Sequence, residues 1–180
     1  MREKLLVERR RLRDGVGADE KILGLEISSF VVQCNGDAPL ILERAKQLMQ
    51  LVNARCLAER WPSDEEWPRL LPKWFVKNCS PERTEEEKKR DMAKWFSLPY
   101  EERWKLPKKK WSPLQWIRWM EPDEREWLWW DGEVRDKNTL IIDVDQVYET
   151  RYADLHWLFQ GCGAERVDEP DIENMIGVIM

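Results

Sequence analysis

Eight of the ten prolines in this 180-residue chain, Pro62, Pro68, Pro72, Pro81, Pro99, Pro107, Pro113 and Pro122, fall between residues 61 and 122 and leave no room there for a long element. Proline lacks a backbone N–H and clashes with the carbonyl four residues back, so each one marks a start, an end or a connector. The tryptophans crowd into the same stretch: eleven of the twelve lie between Trp61 and Trp130, and none precedes Trp61. Short helices bury little surface individually, so large rings are expected to fill the gaps between them. With 42% hydrophobic residues the chain is too apolar for a disordered polymer. No uncharged apolar run approaches the roughly 18 residues of a membrane-spanning helix.

The compositional break at Trp61 predicts two modules, a helical one over residues 1–60 and a Trp-rich α+β one over 61–180. In the first, residues 1–13 read as a short charged helix, followed by a turn at Asp14-Gly15-Val16-Gly17. Asp19 then caps an expected second helix whose stripe is Leu23, Ile27, Phe30, Val31 and Cys34, stopped by Asn35-Gly36-Asp37. After Pro39, the positions Ile41, Ala45, Leu48, Met49, Val52 and Cys56 repeat the helical period over four turns. These pieces predict a small helical bundle.

Between the prolines, helices are expected at about 64–71, 85–97 and 113–121. Ser63 with Glu66 and Thr84 with Glu87 have capping-box spacing, while Ser80-Pro81 and Ser112-Pro113 place a hydroxyl before a first-turn proline. Trp116, Trp119 and Met120 should share a face. Farther on the period changes to two. Residues 126–130 and 139–147 read as strands, with Asp131-Gly132 and Lys137-Asn138 as turn formers between them. Alternation puts Leu140, Ile142 and Val144 on a core face and Ile141, Asp143 and Asp145 on a wetter one. A helix with the stripe Tyr152, Leu155, Leu158 or Phe159 and Cys162 ends at Gly161 or Gly163, and 164–167 forms a further strand. Residues 171–180 suit a helix or a strand. The fold class is therefore α+β: an N-terminal helical bundle, then short helices and a small antiparallel hairpin in a ββαβ unit.

The run Trp116-Ile117-Arg118-Trp119-Met120-Glu121-Pro122-Asp123-Glu124-Arg125-Glu126-Trp127-Leu128-Trp129-Trp130-Asp131, with Leu155-His156-Trp157-Leu158-Phe159 and Gly161-Cys162-Gly163-Ala164, resembles a group of uncharacterised bacterial Trp-rich proteins over roughly residues 70–168. The resemblance implies a bacterial origin and a shared fold, and it transfers no catalytic residue.

Chemistry is sparse. His156 is the only histidine, so a two-histidine metal site is excluded, although it could serve as a base beside Asp154 or Asp145. A half-buried surface role is the plainer reading. Asp143 and Asp145 sit roughly 7 Å apart on one strand face and could share a cation or divide acid and base work, but alternating aspartates are also what a solvated face looks like. No phosphate loop, nucleophile elbow or zinc-protease motif is present. The cysteines Cys34, Cys56, Cys79 and Cys162 match neither a metal knuckle nor a disulfide scaffold, and the charged N-terminus does not read as a signal peptide, so a reducing, cytoplasmic setting is expected.

A net charge of −5 argues against bulk affinity for nucleic acid. Two local patches keep that alternative in view: Arg9, Arg10 and Arg11, and the run Lys108, Lys109 and Lys110 flanked by Trp104 and Trp111. The reading that absorbs most of the sequence is a non-enzymatic cytoplasmic binding protein for an unknown protein partner, without cofactor or metal. Trp127 and Trp129, which face opposite to Leu128 and Trp130 if residues 126–130 are a strand, are its candidate anchors together with Asp143, Asp145 and His156. Small acidic immunity proteins that neutralise toxins supply the analogy, with Asp143, Asp145, Asp168, Glu169 and Asp171 facing a basic target.

Overall fold

Thr139–Gln146 (β3) carries the alternation that organises the molecule: Leu140, Ile142 and Val144 are completely buried, while Ile141, Asp143 and Asp145 are not. The computed structural model describes residues 1–17, 20, 27–103, 110–146 and 152–168, with the side chain of Gln146 outside the description. In that description β3 pairs antiparallel with Trp127–Asp136 (β2) on one side and Ile27–Gln33 (β1) on the other, and β1 also pairs antiparallel with Arg166–Asp168 (β4). The sheet order is β2-β3-β1-β4.

The strand at 27–33 corrects the expected second helix. Ile27, Phe30, Val31 and Cys34 do recur at helical spacing, but Ile-Ser-Ser-Phe-Val-Val-Gln is equally a β-branched alternating run. In it Phe30 and Val32 are fully buried opposite Ile142 and Leu140. Pairing on both sides decided between the two readings, and that information is non-local. The first 60 residues are therefore not a helical bundle. Their strand lies second in from one edge of the sheet formed with the remainder, and the compositional break at Trp61 is not a break in the core. The Asp19 cap, Leu23 and residues 171–180 lie outside the described residues.

Three helices carry the core against the sheet. Ala38–Cys56 (α2) buries Ile41, Ala45, Leu48, Met49 and Val52 as their period requires. Ala153–Cys162 (α8) buries Leu155, Leu158, Phe159 and Cys162 and ends on Gly163, whose φ of 110° is the left-handed conformation that glycine adopts freely. Arg2–Asp14 (α1) packs on α2 and on β2, with Leu5, Glu8 and Leu12 buried. Gln50 and Asn53 of α2 donate to the carbonyls of Leu12 and Leu5 at 3.1 and 2.9 Å, which fixes α1 along α2.

The proline-cut stretch gives the short helices Trp67–Leu70 (α3), Lys73–Asn78 (α4), Glu85–Ser97 (α5), Tyr100–Arg103 (α6) and Pro113–Trp119 (α7). Capping boxes form at Thr84 with Glu87 and at Ser112 with Gln115. Ser80 does not start a helix; its hydroxyl donates to the carbonyl of Lys110 instead. In α7 the buried face is Trp116 and Ile117, joined by Met120 just past its end, and Trp119 points away at 47% exposure.

The tryptophans divide accordingly. Trp67, Trp116, Trp127, Trp129 and Trp157 are core, while Trp61, Trp74, Trp95, Trp111 and Trp130 are half-buried. Trp116 meets Phe75 edge-on at 5.2 Å, and Trp129 lies 6.3 Å from Phe159.

The β2–β3 hairpin turns at Lys137-Asn138. Asp131-Gly132 is instead inside β2, where the register shifts between Trp129 and Asp131 and leaves Trp130 as an extra residue in a bulge. The Arg11 guanidinium stacks over the Trp130 ring at 3.5 Å. Gly132 is the only residue type that fits its place, because a Cβ there would come within 2.7 Å of the Trp129 ring and 2.8 Å of Leu42. No helix among the described residues is long and apolar enough to cross a membrane.

Candidate functional site

An exposed strand edge invites unwanted pairing, and β2 occupies one edge of the sheet. Here α1 meets it with a carboxylate. Glu8 accepts from the backbone N–H of Trp129 at 2.7 Å, from the Asn53 amide at 2.7 Å, and from both terminal nitrogens of Arg125 at 2.9 and 2.5 Å. Both charged side chains are fully buried. Burial works against the Arg125 charge, but the facing carboxylate more than offsets it and holds the guanidinium above its ordinary pKa. This network is the molecule's most elaborate polar feature, and it is sealed from solvent, so its role is to lock helix to strand.

A second buried carboxylate behaves similarly. Asp154, in the first turn of α8, accepts from the Trp127 indole N–H at 2.7 Å, and its carbonyl accepts from Trp116 at 3.0 Å. Burial raises its pKa, with the Trp127 bond opposing the rise. Trp127 and Trp129, expected as anchors, are thus core residues with 0% exposure. Asp154 is engaged by an indole, and His156 is half-buried on the same helix with its backbone N–H on the Tyr152 carbonyl.

The other face of the sheet is chemically different. Register places Asp131 directly opposite Asp143, Glu133 opposite Ile141, and Asp168 opposite Val31, with Ser29 beside Asp143 and Ile27 beside Asp145. All of these side chains share one face, because antiparallel partners point the same way. None of them is buried. The Ser29 hydroxyl donates to Asp143 at 2.5 Å, and Asp131 accepts from the N–H of Gly132 at 2.9 Å. Lys4 reaches Asp145 at 3.8 Å and Arg166 pairs with Asp168 at 2.9 Å. The structure therefore places Asp143, Asp145 and Asp168 on one face and adds Asp131, which had been assigned to a turn, and Glu133. Glu169 and Asp171 lie outside the described residues, and no group of three metal-ligating side chains occurs among those described.

The arginine patch is internally engaged. Arg10 bonds to Glu20, Arg11 approaches Glu20 at 3.6 Å while stacked on Trp130, and Arg13 pairs with Asp14 at 2.7 Å, leaving Arg9 exposed. Lys110 is exposed, and Lys108 and Lys109 lie outside the described residues.

Two open cavities flank α7. One, of about 550 Å³, is lined by residues that include Cys79, Arg83, Glu87 and Lys110. Burial pushes the Cys79 thiol up to about 12 and Cys34 and Cys56 up to about 11; Cys162 is raised as well. Such a rise cuts the thiolate fraction at pH 8 by about two orders of magnitude or more, so none of the four is an activated nucleophile. Native protein should therefore react with iodoacetamide far more slowly than protein unfolded in urea, as counted by mass spectrometry. Rapid native labelling of any of these sites would contradict the burial described. The second cavity, of about 580 Å³, is lined by Trp111, Gln115, Arg118, Trp119, Glu121 and Glu124. Sequence periodicity placed Trp119 on the buried side of α7 and so missed this site.

These features define an α+β protein whose sheet holds helices on one face and presents a carboxylate-rich surface on the other. Comparison of the chain with protein-family models, with curated proteins and with solved structures finds no match in any of the three.

Proposed function

We propose that the chain is a non-enzymatic cytoplasmic binding protein that captures a basic protein partner through the acidic face of its sheet, in the manner of an immunity protein or antitoxin. The observation that supports this most directly is the Asp131–Asp143 pair. Like charges directly opposite each other in a sheet destabilise it by a few tenths to about 1 kcal/mol, and Glu133 and Asp145 add to the same field. A basic partner surface would convert that repulsion into attraction and speed association by steering. The arginines of α1, by contrast, are largely spoken for by Glu20 and Asp14, which weakens the nucleic-acid alternative.

The test is affinity capture from the native cell, followed by direct binding measurement with the captured protein. The double variant Glu133→Lys/Asp168→Lys should weaken that binding by on the order of tenfold or more at low salt, with a smaller difference at high salt. A control reversal at Glu86, exposed on α5, should leave it unchanged. Equal binding by wild type and face variant, or capture only of acidic proteins, would sink the proposal.

A further inference from the structure

Trp119 is the most exposed of the described tryptophans, and it faces another indole across the second cavity. The Trp111 and Trp119 ring centroids lie 6.5 Å apart with 29° between their planes, a shallow wedge at the two ends of α7. Glu121 and Glu124 line the same cavity, and Arg118, the one cation lining it among the described residues, is tied to Asp64 at 2.9 Å. The lining thus combines π-faces with carboxylates, which attracts cations and repels phosphate-bearing ligands.

We propose that this wedge is a binding site for a guanidinium group, supplied by an arginine side chain of a polypeptide. Shape selects the cation. In this protein the Arg11 guanidinium already lies 3.5 Å from the Trp130 ring centroid, and a planar guanidinium can lie on one indole of the pair in the same way with its edge toward the second, 6.5 Å away between centroids. A tetrahedral ammonium has no flat face to lay on a ring. A volume of about 580 Å³ exceeds what a guanidinium occupies and leaves space for the residues flanking the arginine. Gln115 adds a polar wall: its Oε1 accepts from the N–H of Ser112 and from Arg83, so its amide nitrogen is the end left to face a ligand carbonyl. The site rests on the cavity alone and does not depend on the acidic sheet face.

The test follows indole N–H resonances by NMR while the intact protein is titrated with acetyl-Gly-Arg-Gly-amide, its lysine twin and free arginine. The Trp111 and Trp119 signals, assigned by substitution to phenylalanine, should shift with the arginine peptide. The lysine twin and free arginine should bind on the order of tenfold more weakly. Trp119→Ala should abolish binding without unfolding the chain, since this ring is 47% exposed, and Glu121→Gln/Glu124→Gln should weaken it. Unmoved indole signals in the wild type, or unchanged binding in Trp119→Ala, would overturn the site. Equal affinity for the lysine twin would overturn its guanidinium selectivity, and equal affinity for free arginine would overturn the polypeptide source.

Discussion

Replacing Arg125 by methionine should cost about 3–5 kcal/mol of folding stability, enough to unfold a marginal domain outright. The loss comes less from the missing ion pair than from what stays behind: a carboxylate at Glu8 with 0% exposure and no cation. The second arm of this experiment separates those causes. In Glu8→Gln/Arg125→Met the buried charge is gone, and the glutamine carbonyl can still accept from the N–H of Trp129, so stability should recover in part relative to Arg125→Met alone. Urea unfolding of the two variants and the wild type measures both effects. A single-variant loss under about 1 kcal/mol would mean that the pair is hydrated and the α1–β2 contact looser than described.

Trp116→Ala and Trp119→Ala, three residues apart on one short helix, should differ by nearly the full value of a core aromatic. Trp116 is completely buried, packs edge-on against Phe75 and donates to the Asp154 carbonyl, so its removal should cost about 3–5 kcal/mol. Trp119 is nearly half exposed, and its loss should stay within about 0.5 kcal/mol. Thermal or urea unfolding reads the difference directly. Similar losses at the two positions would show that the wedge ring is held in the core.

The contrast between these two rings also marks where sequence reading reached its limit. Amphipathic period found α2, whose stripe is long enough to outvote noise, and β3, whose alternation is strict. Capping chemistry located the starts of α5 and α7 to the residue, because it acts within four positions of the chain. What failed was non-local. Residues 27–33 became a strand because β3 and β4 lie on either side of them, and Trp119 was turned outward because a helix of seven residues buries only one narrow face. Asp143 and Asp145 were legible as one face. Their partner Asp131 was not, since Asp-Gly reads locally as a turn and only the pairing of β2 with β3 places it in the sheet. The most consequential buried pair joins residues 117 positions apart, and nothing near either Glu8 or Arg125 announces it.

The bulge at Trp130 decides which side of the sheet is acidic. Before it, the odd-numbered residues Trp127 and Trp129 point into the core; after it, Asp131 and Glu133 are also odd-numbered yet point outward, because one uncounted residue has inverted the parity of the strand. Were Trp130 paired as an ordinary strand residue opposite Asp143, Asp131 would stand opposite Ile142 and aim a carboxylate into the apolar layer. Losing the bulge while keeping the residue is therefore equivalent to exchanging the two faces of half a strand. The Arg11 stack on Trp130 thus does more than cover a ring: it holds in place the phase shift on which the outward charge of the distal hairpin depends.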